Sequence, residues 1–215
     1  MDTTNHKFTP IYRDSIYYVI LILSTIIVYS QMAGHDFINF DDPLQLTANN
    51  HVLSGLTWKN ILWSFGPDSQ CGPLTWLVYT AGHVMFGLNP GSFHVMSLIL
   101  HIASSLLLFS VLNRMTGEAW KSAFVGALFA LHPMNVESVA WVAELNNVLS
   151  GLFFMLTLLA YKFYTEHTNL EEIYTCITRI RAWSACQARS YDPPIHADPI
   201  GSLAAQEDSN RKERR

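Results

Sequence analysis

No charged residue interrupts the chain between Asp14 and Asp36, and within that window Ser15 to Ala33 (SIYYVILILSTIIVYSQMA) is apolar over the thickness of a bilayer. An α-helix rises about 1.5 Å per residue, so about 20 such residues cross roughly 30 Å of hydrocarbon. Averaged over 215 residues the composition, 50% hydrophobic and 14% charged, would suit a soluble domain. The distribution overrides that average, because further charge-free windows lie between Asp68 and Arg114, after Lys121 and after Glu144. The sequence predicts an all-α polytopic membrane protein with about four transmembrane helices and interfacial helices in its outer loops.

The expected spans are 15–33, 92–112, 119–133 and 147–163 within a membrane region 15–166, joined by outer loops 34–91 and 134–146. Residues 1–14 form a cytoplasmic N-terminus and 167–215 a cytoplasmic tail, disordered from about Ser190 by composition. Pro73 to Gly87, about 15 residues or roughly 22 Å of helix, is too short to span and reads as interfacial or re-entrant. The third and fourth spans are borderline in length and are compatible with one hairpin dipping into the membrane, although two tilted spans are favoured. The first segment is expected to be retained, since Gln31-Met32-Ala33-Gly34-His35 matches a signal-peptide cleavage site poorly.

Lys and Arg mark the cytoplasmic side. With the N-terminus inside, Lys7, Arg13, Arg114, Lys121 and Lys162 fall inside and Lys59 outside, while Asp36, Asp41, Asp42, Asp68, Glu137 and Glu144 gather on the outer face. Acids contribute little to orientation, so their gathering points to a site there.

The adjacent Asp41 and Asp42 in Phe40-Asp41-Asp42-Pro43 admit two readings. Asp before Asp-Pro suits a turn or helix start. Two carboxylates near low dielectric also repel each other, which raises one pKa and leaves a general base beside a group that holds a proton. Glu137, Trp141 and Glu144, spaced i, i+4, i+7, are expected on one face of an interfacial helix, with Val136, Val139 and Ala143 on another. Phe37, Phe40, Trp58, Trp63, Phe65 and Trp76 are expected as a belt at headgroup depth. His94 and His101 share a face of the second span with Ser97 and Ser105, a stripe that more often joins helices than binds a ligand.

Cys71, Cys176 and Cys186 fall on opposite sides of the membrane and make neither a disulfide framework nor a metal-ligand spacing. A Gly-rich phosphate loop, a nucleophile elbow and a basic stripe for nucleic acid are all missing from the sequence, so no nucleic-acid partner is expected.

FINFDDP, SGLTW, PLTWL, FGLNPG, FHVMSLILHIASSLLLF, ALFALHPMNVESVAWVAE and VLSGLFFMLTLLAY follow one another over residues 10 to about 166. In this order they resemble the N-terminal membrane part of bacterial TMTC-like proteins, tetratricopeptide-repeat proteins related to the protein O-mannosyltransferases of the GT-C glycosyltransferase class. The resemblance implies transfer of mannose from a polyprenyl-phosphate donor to a protein hydroxyl, on the outer side of a bacterial inner membrane. It places the catalytic base at Asp41 and Asp42 and substrate-binding positions at His132, Glu137 and Glu144. No resident cofactor is implied, the lipid-linked sugar being substrate; a divalent metal is left open. The partners implied are membrane lipids, the polyprenyl-phosphate sugar and a protein acceptor.

The chain departs from the family pattern at Gly72, where a basic residue or His precedes Pro-Leu-Thr, and at Glu144-Leu145-Asn146-Asn147, where the family reads Glu-Arg-Lys-Asp. Arg is the side chain best suited to clamp a phosphate. From about Leu170 neither a spanning apolar run nor a 34-residue repeat follows, although Glu171 to Arg189 suits a short amphipathic helix. A truncated or frame-shifted gene gives this pattern, and the chain alone is expected to be inactive; a non-enzymatic membrane remnant or accessory subunit is the alternative.

Overall fold

The computed structural model describes residues 11–66, 69, 72–166 and 178, with the side chains of 11–13 and 166 left aside. Asp68, the three cysteines, the N-terminal Lys7 and the tail helix expected over Glu171 to Arg189 lie outside the described residues, Thr178 apart. The described part is helical: α1 (Ile11–Tyr29) continuing into a 3-10 turn, α2 (Asn50–Leu53), α3 (Trp58–Ser64), α4 (Pro73–Phe86), α5 (Pro90–Thr116), α6 (Ala119–Leu131), α7 (Asn135–Ala140) and α8 (Leu145–Glu166).

Three helical stretches, 14–34, 90–116 and 142–165, are long and apolar enough to cross a membrane. The chain is an all-α polytopic membrane protein. The segment expected as a third span is the 13-residue α6, about 20 Å long, which is shorter than the hydrocarbon core.

The centre of the bundle is α5, against which α1, α6 and α8 all pack. Along α1 the buried residues Leu21, Thr25, Tyr29 and Met32 recur at helical spacing, while Ile16, Val19, Ile20, Leu23 and Ile27 are exposed. A helix that exposes its larger apolar side chains this way is facing lipid. Polar groups inside the bundle join helices: Tyr18 Oη lies 2.6 Å from Ser110 Oγ, and Asn113 Nδ2 donates to Asp14 Oδ2 at 3.0 Å. His101 Nε2 lies 3.0 Å from the carbonyl of Ala130, which ties α5 to α6 as the helix-joining stripe requires.

Close backbone approach locks one end of the bundle. A methyl group at Gly91 would sit 2.5 Å from the Ala33 carbonyl oxygen, so only glycine fits where α1 meets the start of α5. Over this end the segment between α1 and α5 folds into a cap, with Leu46, Val52, Trp76, Tyr79, Phe93, Val142, Leu145 and Leu149 forming a buried cluster. The fully buried Tyr79 donates from its hydroxyl to the Val142 carbonyl at 2.7 Å, joining α4 to the segment before α8.

The aromatic belt is corrected in part. Phe37, Trp63 and Trp76 pack onto the cap's core, with Trp63 stacked on His51 at 3.8 Å, and only Phe40, Trp58 and Phe65 are exposed.

Candidate active site in the outer loops

Asp42 is 1% exposed, although carboxylates are seldom buried unless paired. The turn that carries it explains this: Oδ2 accepts the backbone N–H of Ile38 at 2.8 Å, closing a tight local loop. Oδ1 accepts the N–H of Ala143 at 2.9 Å, 101 residues away. Pro43 then opens a short helical turn, Pro43–Thr47, without any capping bond from the Asp42 side chain. The turn reading thus holds for the backbone, and the side chain is used elsewhere.

Burial raises the Asp42 pKa above the ordinary carboxylate value. The N–H groups of Ile38 and Ala143 oppose this, as do the Trp141 indole and the His94 ring nearby, without cancelling it. The Trp141 indole nitrogen makes no hydrogen bond of normal geometry, and neither does either nitrogen of the buried His94.

The bond to Ala143 also reshapes the segment between α6 and α8. α7 stops at Ala140, Trp141 is extended (φ −94°, ψ 121°), and a 3-10 turn, Val142–Glu144, leads into α8. Glu137, Trp141 and Glu144 therefore do not share one helix face: the chain leaves helical geometry at Trp141, where its backbone turns to meet Asp42. Of the other expected face, Val139 and Ala143 are buried and Val136 is exposed.

Asp41 is half-buried, and its carboxylate lies within electrostatic range of Glu144, as does that of Glu137. Glu144 accepts a hydrogen bond from Asn147 Nδ2. The fold thus brings Asp41 and Glu137 each within electrostatic range of Glu144. Among the described residues no group of three or more His, Cys, Asp or Glu is placed to hold a metal ion.

His132 stands apart, exposed just beyond α6. Its Nδ1 faces the N–H of Met134 at 3.2 Å, which puts the neutral ring's proton on Nε2. With Phe124, Ala127, Leu128, Leu131 and Pro133 it lines an open cavity of about 220 Å³. Leu145, where the resemblance expects Arg, is buried in the cap's core, and the neighbouring Asn146 accepts from Thr75 Oγ1 at 3.0 Å.

Sequence reasoning missed the amides of Ile38 and Ala143 as partners of Asp42, and the closeness of His94. Backbone donors leave no signature in side-chain identity, and His94 was assigned to a helix-joining stripe by its spacing.

This arrangement defines a polytopic membrane protein with an acidic cluster assembled from two segments between its helices. The homologues of the chain are TMTC-type protein O-mannosyl-transferases. It is 28% identical over 171 residues to protein O-mannosyl-transferase tmtc2 of Xenopus laevis, a match covering 75% of this chain and 20% of that protein. It is 32% identical over 120 residues to TMTC2 of Homo sapiens (56% and 14%), and 29% over 169 residues to human TMTC4 (68% and 23%). These matches span less than a quarter of each relative's length. No family model and no solved structure matches the chain.

Proposed function

We propose that the chain is the N-terminal membrane part of a protein O-mannosyl-transferase, acting at the outer face of a bacterial inner membrane with its N-terminus in the cytoplasm. The full reaction moves mannose from a polyprenyl-phosphate to a protein hydroxyl. The observation that carries this is the Asp42–Ala143 hydrogen bond, which draws two acidic segments together in a chain similar to named O-mannosyl-transferases.

The two aspartates divide the work. Both oxygens of Asp42 are taken up by backbone donors, so it positions the loop. Asp41 is the base: it takes the acceptor's hydroxyl proton as that oxygen attacks the anomeric carbon, and the bond from that carbon to the phosphate oxygen breaks with its electrons leaving on the phosphate. Glu137 and Glu144 line the acceptor side. His132 holds the lipid phosphate through Nε2–H while the apolar cavity beside it takes part of the polyprenyl chain.

The chain alone does not complete the reaction on this reading, because Leu145, an apolar side chain packed in the core, stands where the resemblance expects an Arg suited to clamp a phosphate. The same leucine favours the second reading, an accessory or non-enzymatic membrane protein.

The test reconstitutes the chain in lipid with polyprenyl-phosphate mannose and an acceptor peptide, alone and together with Xenopus laevis tmtc2 lacking its matching N-terminal part. Background transfer alone, restored transfer in the mixture and its loss with Asp41→Asn are expected. Restored transfer that survives Asp41→Asn removes the base; no restoration favours the accessory reading.

A further inference from the structure

α3 is amphipathic the wrong way round for a helix facing water. Trp58, Leu62 and Phe65, at i, i+4 and i+7 and therefore on one face, are 74%, 59% and 61% exposed. The opposite face carries polar residues and is the buried one: Asn60 is 9% and Ser64 1% exposed.

The burial of Asn60 is stabilised in full view of the geometry. Its Nδ2 donates toward the carbonyls of His51 and Gly55 and toward Ser54 Oγ, at 2.9, 2.7 and 2.9 Å, and its Oδ1 lies 3.2 Å from His51 Nδ1. Ser64 Oγ donates to the Ile61 carbonyl at 2.7 Å. Thr57 caps the helix by accepting the Asn60 N–H. The inverted pattern is thus held in place by satisfied hydrogen bonds, and the apolar face is left for another medium.

We propose that α3 lies in the headgroup layer of the outer leaflet, with Trp58, Leu62 and Phe65 inserted among the lipids. Continuity with the lipid-facing surface supports a lipid occupant. Gly55, just before α3, approaches Val84 of α4, and Val84, Met85 and Phe86 are exposed where α4 turns through Gly87 and Leu88 into the spanning α5. Charge agrees: Lys59, next to Trp58, is exposed, and its ammonium can reach lipid phosphates while its stem covers apolar surface. A helix so placed fixes the depth at which the first outer loop, with Asp41, meets the membrane surface, whatever reaction that loop serves.

The experiment attaches an environment-sensitive fluorophore at Leu62→Cys and, separately, at Phe65→Cys. Cys71, Cys176 and Cys186 are replaced by Ser, and the full chain is reconstituted in vesicles of phosphatidylcholine and phosphatidylglycerol. Both sites should emit blue-shifted light, quenched by about half with lipid spin-labelled near the headgroup and less with lipid labelled at the chain end. Water-like emission at both sites would overturn the proposal. So would blue-shifted emission that no spin-labelled lipid quenches, which would mean that a protein partner covers the face.

Discussion

The carboxylate of Asp42 accepts the backbone N–H of Ala143 at 2.9 Å, so one buried side chain ties together two segments 101 residues apart. Its other oxygen accepts the N–H of Ile38, and at 1% exposure the Asp42 side chain is buried. The neighbouring Asp41 is half-buried, with its carboxylate within electrostatic range of Glu144.

Asp42→Ala should destabilise the outer cap by about 1–3 kcal/mol, because it leaves two N–H groups without their acceptor. Asp42→Asn, which keeps one carbonyl oxygen, should cost less. Thermal unfolding in detergent, monitored by circular dichroism, gives the order.

Stability should also depend on pH through this group. Burial raises its folded pKa above the unfolded value, so the folded state binds the proton more tightly. The contribution favouring the fold is complete below the ordinary carboxylate pKa and fades as pH rises through the raised folded value. The unaltered chain should therefore gain stability relative to Asp42→Asn as pH falls through that window. A difference independent of pH there would contradict the assignment.

Tyr79→Phe should cost about 1 kcal/mol, mainly by leaving the Val142 carbonyl without its donor. The loss should appear as faster exchange around residues 142–145, with α1 unaffected. Equal exchange in both proteins would mean that the hydroxyl bond carries no weight.

Gly91→Ala tests the contact between α1 and α5. Alanine improves helix propensity by about 1 kcal/mol, but its methyl would meet a backbone oxygen that cannot yield, at a cost of about 1–3 kcal/mol. Net loss of thermal stability is expected, while Gly117→Ala, at a left-handed position in open space, should lose only its backbone-strain share, about 1 kcal/mol.

The spans were legible because hydrocarbon forbids charge: the charge-free windows that predicted Ser15–Ala33 and Ser92–Leu112 reappear within the spanning stretches 14–34 and 90–116. α4 kept the short length that its flanking Pro73 and Asn89-Pro90-Gly91 set. What composition could not reveal was decided by tertiary contacts. Periodicity carried a helix through Trp141, whereas the Asp42–Ala143 bond bends the backbone there. The aromatic residues look alike in sequence, yet Trp63 and Trp76 are buried by the cap and Trp58 is not, because the hydrogen bonds of Asn60 turn α3 polar side inward. In the acidic site the pair Asp41 and Asp42 stood out by adjacency alone; that Asp42 accepts two amides depends on where those amides lie.

The most direct test of this division is amide hydrogen exchange at Ala143 in the full chain in lipid nanodiscs, compared with Asp42→Ala and Asp41→Ala. Asp42→Ala should speed exchange at Ala143 by about tenfold or more, in line with loss of a buried hydrogen bond, and Asp41→Ala should leave it unchanged. Unchanged exchange in Asp42→Ala, or equal acceleration by both substitutions, would contradict the account.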